Sequence, residues 1–480
     1  MARPNPTRRL TSGSGVSFAL VGGSGYETPM DDSTGLPWPG TPLSAPPAAP
    51  AQTKSPFFGG NMTAGGGLRR ARTDLLLPGE PLSVADRLLL QQGGLGGAGV
   101  VQGGRLRGVR SPAESLNGVV MRARRGATGG IANVLHSIPY ESQWLTGIGL
   151  AFFFLNLCLF VMNCVLISLR FYWRPGSLVD SFNDQYESLF ISAIIVSIAT
   201  ILITITQYGV PYAGPWLLSV LEALFWIYIG VSTLVSASLY LTLWSTQVFP
   251  IHTMTPVWVF PAYPLLLTAP FGGNLVAAAS NAGQLGGINT VPVTLAAVTV
   301  QGTGFLISFM VCAAFLYRLM TQKLPRDHQR PGVFISIGPS GFTCAGLVQL
   351  GTLTPSIFPP DFMGTQHAVH ILRLLAYMMG LWLWGLSIWF FLVSVGSLWK
   401  YLRPESKGKL RFQMTWFSFV FPNTALVTAT EALGGAFESP GLQIFGCVLA
   451  ACLVLVWILV FTKMLRCLWR RELLWPKEED

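Results

Sequence analysis

Residues 333–351 read VFISIGPSGFTCAGLVQLG. The stretch is apolar enough for a bilayer, yet Gly338-Pro339-Ser340-Gly341 stands in its middle. Proline inside a helix removes one hydrogen bond and clashes with the preceding turn. In lipid, the freed backbone groups find no water, so irregular backbone is tolerated only under protein cover or along a watery cavity. The quartet therefore predicts a helix broken at 338–341 and facing a cavity. Ser336, Ser340 and Thr343 add hydroxyls along it. N–H groups exposed at such a break can hold an anion as a helix N-terminus does. The competing reading is that the glycines only permit close helix packing.

The flanking sequence is of the same kind. The chain has 480 residues, 51% hydrophobic and 11% charged, with a mean hydropathy of +0.50. A soluble domain carries about 25% charged residues. The deficit is concentrated between residues 144 and 466. A spanning helix takes about 20 apolar residues. Candidates fall near 144–169, 186–207, 215–245, 256–280, 292–318, 331–351, 368–399, 411–432 and 440–465. An incomplete segment precedes them at 126–139, GATGGIANVLHSIP. The expected fold is an all-α polytopic membrane protein; the short alternating strands of a barrel are not the pattern.

Residues 1–125 differ in character. They are rich in Gly, Pro, Ser and Arg and have no apolar periodicity. Such a composition does not offset its ordering entropy, so a disordered tail is expected. The sequon Asn61-Met62-Thr63 is accidental on a cytosolic tail. The transporter domain is expected over 126–470, followed by a cytoplasmic tail at 471–480. The net charge of +10 reflects basic residues flanking apolar spans rather than a nucleic-acid surface. Cys158, Cys164, Cys312, Cys344, Cys447 and Cys452 fall inside apolar spans and read as small hydrophobes. No metal spacing or disulfide framework appears, so no cofactor is expected. Cys467, beside Arg466, matches a weak palmitoylation pattern and reads better as a plain thiol.

Loop charges set the orientation. Arg170 and Arg174 follow the span 144–169, Arg318, Lys323, Arg326 and Arg330 follow 292–318, and Lys400, Arg403, Lys407, Lys409 and Arg411 follow 368–399. The connections 208–214, 281–291, 352–367 and 433–439 have no Lys or Arg. The positive-inside rule then puts the C-terminus in the cytoplasm, and an even count puts the N-terminus there too. Ten helices follow, with 126–139 as the first.

Proline adds a second pattern. Helix 5 contains Pro261, Pro264 and Pro270, helix 7 contains Pro339, and helix 9 contains Pro422. The even helices have none in their interiors, and helix 3 is the odd helix without one. This suggests five hairpins of like orientation, with an inner ring of kinked odd helices around a pore and the even helices outside.

Three stretches carry a family resemblance: RPGVFISIGPSGFTCAGLVQLG (330–351), HTMTPVWVFPAYPLLL (252–267) and WFSFVFPNTALVTATEALG (416–434). Together they resemble the tellurite-resistance/dicarboxylate transporter family of the voltage-dependent anion channel superfamily, most of all its fungal malic-acid (C4-dicarboxylate) branch. The likeness covers about 126–470. It implies ten helices, a pore of five odd helices, and a homotrimer in the lipid bilayer. It also implies a phenylalanine gate on helix 9, which falls on Phe421, before Pro422, with Phe417 and Phe419 as fallbacks. One departure stands out. The family opens helix 1 with an apolar half, whereas here Arg122, Arg124 and Arg125 precede Gly126. Each arginine at mid-membrane costs about 2.5–3.5 kcal/mol, so helix 1 is expected to be truncated. A misplaced exon boundary accounts for that better than a native half-helix.

The expected function is transport of a small anion across the plasma membrane: a C4-dicarboxylate such as malate, with proton coupling through Glu222 as an option. The alternative on the same scaffold is a sulfite or inorganic-anion exporter. A receptor or membrane-embedded enzyme is the remaining class; no nucleophile–base set, metal cluster or phosphate loop supports an enzyme. With few membrane cations, the anion path would rest on backbone N–H groups, the hydroxyls of helix 7, Pro264, Asn274 and Asn423. Glu431 and Arg373 are placed near helix ends, where snorkelling lowers their cost. His136 and His252 read as interfacial.

Overall fold

The computed structural model describes residues 127–140, 142–173, 188–402 and 412–470, with isolated positions between 174 and 187. The expectations for 1–125 and 471–480 lie outside these residues. Among the described residues the regular structure is helical, with no strand. The first helix, α1, covers 127–137. It is followed by α2 (Gln143–Trp173), α3 (Ala193–Gly209), α4 (Trp216–Thr246), α5 (Thr268–Asn281) and α6 (Thr290–Gln322). Then come α7 (Ile337–Thr352), α8 (Ala368–Ser397), α9 (Phe421–Ala436) and α10 (Pro440–Trp469). Six helical segments among the described residues are long and apolar enough to cross a membrane, one of them running from Asp327 to Thr352.

Three of the helices share an entry. A 3-10 segment leads into each: Pro256–Ala262 and Leu265–Leu267 before α5, Asp327–Ser336 before α7, and Met414–Phe419 before α9. Pro270, Pro339 and Pro422 then fall in the first turns of α5, α7 and α9. The first four N–H groups of a helix have no partner within it, so a proline there sacrifices nothing. This corrects the expected break at Gly338–Gly341. The quartet is α-helical, and the change of geometry lies one turn earlier, where Ile337 opens the α-helix. A bend of 69° separates Pro256–Ala262 from Leu265–Asn281, where Pro261 and Pro264 deprive the backbone of two donors.

Burial alternates along the chain. α2, α4, α6, α8 and α10 bury one stripe and expose apolar side chains such as Phe154, Leu234, Leu306, Trp382 and Leu459. These faces suit lipid. α3, α5, α7 and α9 are buried on most faces. α3 touches α5, α5 touches α7, and α7 touches α9. α1 bonds to α3 through Tyr208 Oη–H to the Ala132 carbonyl at 3.0 Å, and to α9 through Ser137 and Glu431.

Small residues set these approaches. A Cβ on Gly341 would lie 2.9 Å from the Ala425 carbonyl carbon, and one on Gly346 would lie 3.0 Å from that of Ala269. Glycine at both points lets α7 meet α9 and α5 backbone to backbone, as membrane helices do where no hydrophobic drive separates helix from lipid. The packing reading of these glycines is therefore what the geometry supports.

The basic end is tied together by polar contacts. Arg318 donates to the carbonyls of Lys323 and His252 at 3.0 and 3.2 Å. Arg330 donates to the Ser397 carbonyl at 2.9 Å, and Lys400 donates to Asp327 at 2.7 Å. The last bond holds the Lys400 ammonium above the ordinary lysine range.

Candidate functional site

The ends of α1, α3 and α5 line two adjoining cavities, of about 320 and 630 Å³, the smaller completed by α7 and α9 and the larger by the start of α2. Both are lined by His136, Gln207, Asn274 and Ala277. The larger opens between the residues around Pro211–Ala213 and Asn281–Gln284, connections without Lys or Arg. The smaller reaches Phe342.

The smaller cavity is polar on one side. Gln207 of α3 donates to the side-chain oxygens of Asn133 on α1 and Asn274 on α5, the latter at 2.9 Å. Asn274 in turn donates to the Pro270 carbonyl at 2.7 Å. One amide thus joins three helices, which fixes the positions of the groups a solute would meet. Gln349, Thr352 and Thr428 continue the wall from α7 and α9. Among the described lining residues there is no Lys or Arg. The one carboxyl is Glu431, only 4% exposed.

An aromatic cluster lies beside Phe342. The Phe421 ring centroid is 5.4 Å from that of Phe342 and 5.8 Å from that of Tyr263. Tyr263 stacks on Phe260 at 5.1 Å and donates its hydroxyl to the Ile335 carbonyl at 2.6 Å. A Cβ on Gly338 would collide with that hydroxyl, so the glycine makes room for the tyrosine. Rings held this way fill the space on the basic side of the cavity and exclude water.

The other expected residues are placed as follows. Phe417 is fully buried, and Phe419 faces Phe334 at 5.1 Å and Trp416 at 5.9 Å. Both lie in the 3-10 segment Met414–Phe419, ahead of the α-helix that Phe421 opens. Ser336 donates to the Val333 carbonyl. Ser340 pairs with Ser387 of α8 at 2.7 Å, and Thr343 accepts from Gln301 of α6 at 2.9 Å. Ser340 and Thr343 thus join α7 to α8 and α6, and Ser336 bonds within its own 3-10 segment. None of the three is among the residues lining the two cavities, which corrects the expected hydroxyl path. Pro264 offers its carbonyl to Tyr228. Asn423 donates to the Phe419 carbonyl at 2.8 Å and holds the turn into α9.

Glu222 lies outside both cavities. Its carboxylate accepts from the backbone and side chain of Asn289 at 3.0 and 3.1 Å, joining α4 to the start of α6. Glu431 was expected near a helix end, free to snorkel. It is instead buried, because α1 and α10 cover it: a Cβ on Gly446 would lie 2.8 Å from its side chain. Glu431 and the Asn133–Gln207–Asn274 set are what sequence reasoning missed. The sign that could have found Glu431 was its place two turns beyond Pro422 on an odd helix.

A helical membrane protein whose buried helices line two adjoining, amide-bearing cavities has the architecture of the transporters and channels for small solutes. Its family follows from comparison. The profile of the voltage-dependent anion channel family, SLAC1, matches residues 126–465, and the chain belongs to that family of anion transporters and channels. It is 29% identical over 357 residues to the malic acid transport protein of Schizosaccharomyces pombe, covering 74% of this chain and 79% of that one. It is 27% identical over 336 residues to the sulfite efflux pump SSU1 of Trichophyton rubrum, covering 70% and 86%. An uncharacterized transporter of Methanocaldococcus jannaschii is 21% identical, over 68% of this chain and 88% of its own.

Proposed function

We propose that this chain carries C4-dicarboxylate anions such as malate across the plasma membrane. The observation that carries the reading is the amide-lined cavity backed by the Phe260–Tyr263–Phe342–Phe421 cluster. Amides and hydroxyls on rigid helices give a carboxylate donors without a cation that would trap it. That arrangement favours passage over tight capture, because conduction needs binding weak enough to release. The likeness to a malic acid transport protein supports the substrate.

The same proposal includes ten helices in five hairpins, the odd ones forming an inner ring around the path. The cyclic order of contacts among α1, α3, α5, α7 and α9 supports it, as does the burial that alternates with the even helices. It includes cytoplasmic termini, a transporter domain over 126–470, a truncated first helix and a homotrimer. Phe421 is the gate, with Pro422 setting the start of its helix.

The second reading is export of sulfite or another inorganic anion, favoured by the likeness to a sulfite efflux pump. Uptake of labelled malate, succinate, sulfite and chloride into proteoliposomes separates the two. Malate and succinate flux well above that of protein-free vesicles supports the first reading. Flux of sulfite alone supports the second.

A further inference from the structure

We propose that Glu431 is a proton-binding site within the anion path, and that its charge sets how readily anions enter. The inference rests on the transport reading and adds a regulated group to the same cavity.

The geometry carries it by counting protons. Ser137 Oγ lies 3.0 Å from the Val134 carbonyl oxygen and within hydrogen-bond distance of Glu431 Oε2. Both partners are acceptors when Glu431 is ionised, and a serine brings one proton. A proton on the carboxyl satisfies both contacts: Ser137 donates to Val134, and Glu431 donates to Ser137. The second carboxyl oxygen, Oε1, is buried with no hydrogen-bond partner. A buried carboxylate with an open lone-pair side is costly, whereas a protonated one needs fewer partners.

The surroundings of Glu431 offer no fixed cation. From α1 it meets Ser137, with His136 on the same cavity wall. From α10 it meets Gly446, with the Cys447 thiol close enough to feel its charge. From α3 comes Gln207 and from α7 Gln349 and Thr352. On α8, Tyr377 and Arg373 bond to each other at 3.0 Å. The proton leaves to solvent through the cavity that Glu431 lines, which adjoins the larger one at His136. When it leaves, a negative charge stands in the path and repels an entering anion; when it returns, the wall is neutral.

The test is malate uptake by proteoliposomes of the intact chain, read as the ratio of Glu431→Gln to wild type across pH. The ratio cancels the ionisation of malate itself. Glutamine mimics the neutral carboxyl at every pH, so the ratio is expected to rise by about tenfold between about pH 6 and pH 9. A ratio that stays flat overturns the proposal while leaving the transport reading in place. Absence of malate uptake by wild type overturns the transport reading itself. Should Glu431→Gln fail to fold, Ser137→Ala decides: its uptake midpoint moves by about one pH unit, and an unmoved midpoint overturns the proposal.

Discussion

At the scale of single residues, Phe421 and Phe419 make the sharpest contrast. Phe421 packs on Phe342 at the cavity floor, whereas Phe419 packs on Phe334 and Trp416 away from it. If Phe421 is the gate as proposed, Phe421→Ala should raise anion flux severalfold at unchanged expression, because a narrow apolar passage loses a blocking ring. Phe419→Ala should lower thermal stability, by about 3–5 kcal/mol if it behaves as a core truncation, without opening the path. Flux opened by Phe419→Ala and not by Phe421→Ala would move the gate to the 3-10 segment. The two membrane carboxyls divide similarly. Glu222→Gln weakens the bonds to Asn289, so its uptake should keep the wild-type pH profile; a flattened profile would bring Glu222 back into proton coupling.

At the scale of elements, the α7 contacts are the ones that admit no slack. Gly341 abuts Ala425 and Gly346 abuts Ala269, in both cases at the neighbouring backbone. A side chain cannot be moved aside there, so the helices themselves must separate. Gly341→Ala and Gly346→Ala should each destabilise the protein by about 1–3 kcal/mol, measured as a lower unfolding temperature in detergent. Gly302 and Gly385, with open space around their Cβ positions, provide the comparison: alanine there should leave the midpoint unchanged or raise it.

At the scale of the whole molecule, charge distribution predicts topology. Single cysteines introduced at 352–367 should react with an impermeant reagent from outside the cell, and those at 318–330 and 400–411 only after permeabilisation. Labelling of 352–367 from the cytosolic side alone would invert the orientation. For the first helix, peptides from intact cells covering residues 60–125 would contradict a misplaced exon boundary.

Much of this was legible in the chain before any coordinates. The all-helical membrane class follows from runs of about 20 apolar residues, since lipid requires every backbone group to bond within its own segment. The special standing of helices 5, 7 and 9 follows from their prolines, because each ring removes a donor and so marks where α geometry starts. The family followed from the three motifs. Other features depended on neighbours distant in sequence. Whether Gly338–Gly341 was a break or a packing surface turned on how near α9 and Tyr263 come. Ser340 and Thr343 read equally well as cavity or interface until α8 and α6 took up their hydroxyls. Glu431 looked free to snorkel until α1 and α10 closed over it. A residue's type and its place on a helix are local properties, and sequence determines them. The direction a side chain faces, and the partner it finds there, belong to the packing of helices as many as 329 residues apart, and only the tertiary structure decided them.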